Sequence, residues 1–106
     1  MDVKALAEKL GLEESEYLEM TALFIEVSLS DLDRLEEGLK KADAGEVVEA
    51  AHSIKGAAVN LGLQEISDVA KDVEMNARAK NLDGAPEAVH KIRDMLSQLV
   101  TTTNTD

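Results

Sequence analysis

Apolar residues recur at spacings of three and four along nearly the whole chain, and this period restricts the chain to a helical fold. The longest such stripe consists of Leu18, Ala22, Ile25, Leu29, Leu32, Leu35 and Leu39. Tyr17, Phe24 and Val27 lie beside this stripe, and we expect them to widen the buried face. No run of β-branched or aromatic residues alternates with polar ones, as a half-buried strand would require. The sequence therefore predicts an all-α fold.

Turn residues divide the pattern into five helical segments. The predicted helices span about residues 2–10, 13–42, 44–61, 64–80 and 86–100. We expect Gly11 and Gly62 to end the first and third helices in the left-handed conformation. Asp43 is placed to cap the third helix, with Glu46 as the partner of a capping box. Short connections make consecutive long helices antiparallel. We predict one domain over residues 1–106, an up-down-up-down four-helix bundle with a short N-terminal capping helix and a frayed tail over 101–106.

Composition excludes several classes of function. The chain of 106 residues contains no cysteine, which excludes disulfides, thiolate zinc sites and cysteine nucleophiles. Its net charge of −11 disfavours nucleic acid and anionic membranes as partners. No apolar run approaches the roughly 20 residues of a membrane span, and the N-terminus lacks the features of a signal peptide. We therefore expect a cytoplasmic protein.

His52 faces away from the predicted core of the third helix. At about 100° per residue, that core face consists of Val47, Ala51, Ile54, Ala58 and Leu61. His52 lies about 150° from its centre and is expected to point into solvent. Val48 and Val59 lie on the same side as the histidine, and Gly56 follows one turn later. Because glycine inside a helix costs about 1 kcal/mol relative to alanine, Gly56 indicates that another molecule approaches the imidazole closely. The small side chain of Ala57 fits the same interpretation.

The alternatives for this histidine are less specific. An isolated exposed histidine is most often a passive surface residue, and one histidine alone cannot hold a metal ion, which needs three or four ligands. His90 lies among charged residues, without a glycine or an apolar rim, and we interpret it as solvated. The sequence has no nucleophile elbow and no glycine-rich loop for a nucleotide. An autonomous enzyme is therefore disfavoured.

The segment His52-Ser53-Ile54-Lys55-Gly56-Ala57-Ala58, followed by Leu61-Gly62, resembles the signature of histidine-containing phosphotransfer (HPt) domains. The resemblance extends to the order of the helices and covers nearly the whole chain. It implies a phosphorelay intermediate of two-component signalling, in which His52 exchanges a phosphoryl group with the aspartates of receiver domains.

The resemblance also implies roles for the neighbouring residues. Lys55 would neutralise the charge of the phosphoryl group. Gly56 and Ala57 would let the receiver approach, and Val48 and Val59 would form an apolar rim for docking. No cofactor is implied, because magnesium would come from the acidic pocket of the receiver. The partners would be receiver domains or a hybrid histidine kinase, and the carrier itself would be a monomer without kinase activity.

Glu74 is a further candidate. An antiparallel hairpin around Gly62 places Glu74 level with His52, and members of the HPt family often carry Gln or Glu there to accept a hydrogen bond from the imidazole. A solvated glutamate on an acidic bundle is an equally good interpretation. Two other functions also stay open: a helical adaptor that binds a receiver without being phosphorylated, and the phosphoacceptor domain of a larger histidine kinase.

Overall fold

The computed structural model describes residues 3–103, and every regular element within them is an α-helix. The helices are α1 (Val3–Lys9), α2 (Glu14–Lys40), α3 (Ala44–Asn60), α4 (Gln64–Arg78) and α5 (Ala85–Thr103). The predicted all-α class is therefore confirmed. Helix α5 continues three residues beyond its predicted end at Val100, so residues 101–103 of the predicted frayed tail are helical. Residues 104–106, and the predicted start of the first helix at residue 2, lie outside the described residues.

The four long helices form an antiparallel bundle. Helix α3 packs between α2 and α4, and α5 packs against the same two helices, diagonally across from α3. Helix α1 packs against α2. Leu6 Cδ2 lies 3.4 Å from the position that a Cβ atom on Gly62 would take, so α1 also covers the end of the bundle where α3 turns into α4. The predicted four-helix bundle with an N-terminal capping helix is confirmed.

The buried face of α2 differs from the predicted stripe. It consists of Tyr17, Thr21, Phe24, Ile25, Ser28, Asp31, Leu32, Leu35 and Gly38. Ala22, Val27 and Leu29 are exposed, so their predicted burial is wrong. One physical reason is that a small polar side chain can occupy a helix interface where its hydrogen bond is satisfied within its own helix. Thr21 does so, because its Oγ1 donates to the carbonyl oxygen of Tyr17 at 2.8 Å.

The helix ends follow most of the predicted signals. Gly11 and Gly62 have φ values of 72° and 73°, which confirms both predicted left-handed stops. Asp43 caps α3, since its Oδ1 accepts a hydrogen bond from the backbone N–H of Glu46 at 3.1 Å. The reciprocal half of the predicted capping box is wrong. The Glu46 carboxylate instead accepts a hydrogen bond from Arg34 Nε on α2 at 2.9 Å, because an ion pair between helices is available there.

The turn between α2 and α3 is tight. The backbone N–H of Asp43 donates to the carbonyl oxygen of Gly38 at 2.8 Å, which closes the end of α2. Ala42 takes the left-handed conformation in this turn, with φ 54°. A Cβ atom on Gly38 would lie 3.1 Å from Val47 Cγ2, so glycine allows the two helices to approach closely. This contact and the Asp43 cap fix how α3 lies along α2.

Candidate functional site

His52 lies in the middle of α3 and points outward. Its side chain is 62% exposed, while the predicted core face of α3 is buried, from Val47 through Ile54 to Leu61. The imidazole therefore faces solvent because the apolar residues of α3 are buried on the opposite side of the helix. His90, the other histidine, is exposed on α5, and its nearest carboxylate is that of Asp94 at 3.9 Å.

Glu74 of α4 lies beneath the imidazole, and its carboxylate contacts three hydrogen-bond donors. His52 Nδ1 lies 2.9 Å from Glu74 Oε2. Lys55 Nζ donates to Glu74 Oε1 at 2.7 Å, and an Arg78 guanidinium nitrogen donates to Oε2 at 2.8 Å. Glu74 is only 4% exposed, so the alternative interpretation of a solvated glutamate is wrong. It joins α3 to α4 directly below His52.

The charge state of Glu74 determines which nitrogen of His52 carries the proton. Burial alone would raise the pKa of this carboxyl group, but the hydrogen bonds from Lys55, Arg78 and His52 outweigh burial and lower the pKa to about 2. An ionised carboxylate can only accept hydrogen bonds, so Nδ1 of His52 is the donor. In the neutral imidazole the lone pair then lies on Nε2, the nitrogen that Glu74 does not contact.

Two cations lie beside the imidazole. Lys55 follows His52 by three residues on α3, and its side chain is 27% exposed. Arg78 lies one turn after Glu74 on α4 and is exposed. Arg78 is not among the site residues predicted from the sequence. The available signal was the spacing of four between Glu74 and Arg78, which puts both side chains on one face of a helix.

The predicted docking residues divide into two groups. Gly56 is exposed, and a Cβ atom built on it would meet nothing within 4 Å, so the space beside His52 is open. Val59 is 58% exposed. Val48 and Ala57 are partly buried and pack against the core, so they offer less surface to a partner than the sequence predicts.

Residues 3–103 contain neither a helix that could span a membrane nor a cluster of side chains that could bind a metal ion. No helix within residues 3–103 combines the length and the apolar character that crossing a bilayer requires. In the same residues, no group of three or more histidine, aspartate or glutamate side chains is arranged to bind a metal ion.

Comparisons with known proteins identify the family. A solved structure, that of histidine-containing phosphotransfer protein B (HptB) from Pseudomonas aeruginosa PAO1, is similar to this chain, with 26% identity and a TM-score of 0.83. The alignment covers 97% of this chain and 90% of that one. A search of curated protein sequences found no match. The family model described as "Hpt domain" matches residues 19–102, which contain the whole cluster around His52. The chain therefore belongs to the Hpt domain family.

Proposed function

We propose that Nε2 of His52 is the atom that accepts and returns the phosphoryl group. Histidine phosphotransfer in two-component signalling is the function of the family to which this chain belongs. The observation that carries the assignment to this atom is the contact between His52 Nδ1 and Glu74 Oε2 at 2.9 Å. This contact supports a proton on Nδ1, which leaves the nucleophilic lone pair on Nε2, away from Glu74.

The transfer needs no proton to enter or leave. The Nε2 lone pair attacks the phosphorus of a receiver aspartyl phosphate, and the new P–N bond forms while the P–O bond to the aspartate breaks. The aspartate leaves as a carboxylate, and the imidazole ring gains positive charge while it keeps its proton on Nδ1. Ionised Glu74, whose pKa is about 2, lies against that ring and stabilises the charge. The reverse reaction delivers the phosphoryl group to the second receiver.

Lys55 is proposed to neutralise the phosphoryl oxygens during transfer. Its ammonium group is held beside the imidazole by Glu74 Oε1 at 2.7 Å, so the charge is in place before the receiver arrives. Replacement by alanine, Lys55→Ala, is expected to slow transfer in both directions with little loss of receiver binding. Transfer at the wild-type rate would mean that the lysine only covers the edge of the core.

Receiver domains are proposed as the partners, and magnesium is proposed to come from the receiver's own acidic pocket. The exposed positions Gly56 and Val59 support docking on this face of α3. We propose that the chain has no autonomous kinase activity, acts as a monomer and is located in the cytoplasm.

The experiment is phosphoryl transfer from a panel of receiver domains labelled with radioactive phosphate. His52→Gln is expected to abolish labelling while the melting temperature stays nearly unchanged, because the side chain is exposed. His90→Gln is the matched control and is expected to retain labelling. The label should be acid-labile and base-stable, as a phosphoramidate is. Label on the His52→Gln variant would refute the assignment, and absence of label on the wild-type protein from every receiver would favour a non-phosphorylated adaptor.

A further inference from the structure

A contact between α2 and α3 lies directly beside His52. Ser53 Oγ on α3 donates a hydrogen bond to Asp31 Oδ2 on α2 at 2.6 Å. Asp31 is 7% exposed, and its other carboxylate oxygen lies 3.8 Å from an Arg34 guanidinium nitrogen, beyond hydrogen-bond distance. A hydroxyl group that donates to a carboxylate at this distance forms one of the stronger hydrogen bonds in proteins. The residue that follows His52 is therefore anchored to a buried side chain of α2.

The buried face of α3 is made mostly of small side chains. It consists of Val47, Ala50, Ala51, Ile54 and Ala58, and three of these five residues are alanine. The orientation of a helix is normally set by side-chain ridges that fit into the grooves of its neighbour. An alanine methyl group forms only a low ridge, so a small rotation of α3 about its axis changes the apolar packing little. Polar contacts consequently contribute more to fixing how α3 faces its neighbours.

Polar contacts lie on both sides of His52. At about 100° per residue, Ser53 lies about 100° from His52 in one direction around α3, and Lys55 lies about 60° away in the other. Ser53 contacts Asp31 on α2. His52 and Lys55 contact Glu74 on α4. Rotation of α3 in one direction would separate Ser53 from Asp31. Rotation in the other direction would separate His52 from Glu74, so each contact opposes the movement that the other permits.

A small rotation of α3 would displace the reacting nitrogen. A side-chain atom about 6 Å from the helix axis moves by about 1 Å when the helix rotates by about 10°. Misplacement of a reacting group by about 1 Å can slow a reaction by about 100-fold. Positioning is the main contribution that a protein makes to phosphoryl transfer. The rate of attack by Nε2 of His52 is therefore expected to depend on the rotation of α3.

We propose that Ser53 and Asp31 are positioning residues for phosphoryl transfer. Their hydrogen bond restrains α3 from the side of α2, as the contact with Glu74 restrains it from the side of α4. Together the two contacts place Nε2 of His52 for in-line attack on the phosphorus. Asp31 is buried and the Ser53 hydroxyl donates to it, so both act through the position of the helix. This inference rests on the proposed function and names a contact that orients its acceptor.

The test removes the hydrogen bond in two ways that differ in their effect on stability. Ser53→Ala leaves the buried Asp31 carboxylate without this donor, which is expected to destabilise the fold. Asp31→Leu combined with Ser53→Ala also removes the carboxylate, so the double variant is expected to recover stability. Ser53→Thr is the conservative variant, since it keeps the hydroxyl group. Thr21→Val is the matched control, because Thr21 is buried and its hydroxyl donates within α2.

Single-turnover transfer is measured with a receiver that labels the wild-type protein, over a range of receiver concentrations. Ser53→Ala and the double variant are both expected to lower the rate constant at saturation by about tenfold or more. The half-saturating receiver concentration is expected to stay within about twofold of wild type. Ser53→Thr and Thr21→Val are expected to keep the wild-type rate constant.

Slow transfer by the double variant despite its recovered stability would separate positioning from a purely structural role. A wild-type rate constant for the double variant would overturn the proposal, as would equal slowing by Thr21→Val. A change confined to the half-saturating receiver concentration would also overturn it, since the contact would then act on docking.

Nitrogen NMR of the His52 ring gives a second readout that needs no receiver. In the neutral ring of the wild-type protein the proton is expected on Nδ1, which lies 2.9 Å from Glu74 Oε2. Ser53→Ala is expected to weaken this contact and to move both nitrogen shifts towards those of a mixture of the two tautomers, whereas Thr21→Val leaves them unchanged. Unchanged shifts in Ser53→Ala would overturn the proposed positioning. Failure of the proposed function has a different result, which is that the wild-type protein takes no label from any receiver.

Discussion

Replacement of Glu74 by glutamine tests whether the carboxylate beneath His52 is held ionised by its three donors. The folded-state pKa of Glu74 is lowered from 4.5 to about 2. A lowered pKa stabilises the folded state above the ordinary value, and this contribution is lost as the pH falls from about 4.5 towards 2. Glutamine keeps the shape of the side chain and an oxygen acceptor for His52 Nδ1, but it carries no charge at any pH.

The size of the effect follows from the pKa shift. A shift of about 2.5 units corresponds to about 3 kcal/mol at pH 7. The same relation gives about 1 kcal/mol at pH 3 and well below about 1 kcal/mol at pH 2. We therefore expect Glu74→Gln to be less stable than wild type by about 3 kcal/mol at neutral pH and nearly equal to it at pH 2.

The assay is urea unfolding followed by circular dichroism at several values between pH 7 and pH 2, with the difference in free energy of unfolding plotted against pH. Glu26→Gln is the matched control, because Glu26 is exposed on α2. It is expected to change the free energy of unfolding by less than about 0.5 kcal/mol at each pH. A difference between wild type and Glu74→Gln that does not vary with pH would refute the reasoning.

Three further predictions concern backbone positions. Gly56→Ala is expected to stabilise the fold by up to about 1 kcal/mol, because a Cβ atom there meets nothing within 4 Å, and to slow phosphoryl transfer. Gly56→Leu is expected to remain folded and to block receiver docking. Fast transfer by Gly56→Leu would contradict the docking interpretation. Gly38→Ala is expected to lower the free energy of unfolding by about 1 kcal/mol, since its Cβ atom would lie too close to Val47. A variant with a higher melting temperature than wild type would show that α2 and α3 separate easily at this point. Ala42→Gly is expected to raise the free energy of unfolding by up to about 1 kcal/mol, because its φ is 54°, and a lower value in urea melts would contradict this.

The fold and the family could be predicted from the sequence because strong local signals agreed with one another. Gly11, Gly62 and Asp43 marked helix ends that the structure confirms, and the apolar period of α3 predicted both its buried face and the exposure of His52. The prediction of histidine phosphotransfer is confirmed by the family match over residues 19–102. The roles of the individual site residues remain predictions.

The prediction of the α2 core was less accurate because it followed apolar residues alone. Thr21, Ser28 and Asp31 are buried, and a search for apolar spacing passes over such residues. Asp31 is buried because it accepts a hydrogen bond from Ser53 across the interface, a contact between residues that are far apart in sequence. Arg78 was missed for the same kind of reason, since its position beside His52 depends on how α4 lies against α3.

The position of α3 between two neighbours has a kinetic consequence. Among the helices of residues 3–103, α3 packs against α2 and α4 alone, and His52 lies on the exposed side of α3. If receivers dock at His52 as proposed, two of them cannot occupy this surface at the same time, so donor and acceptor would bind in turn and the carrier would follow a ping-pong scheme. The donor that has lost its phosphoryl group would then compete with the acceptor for the phosphorylated carrier. Under the proposed function, the rate of phosphoryl transfer would consequently depend on the ratio of the two receivers as well as on the amount of carrier.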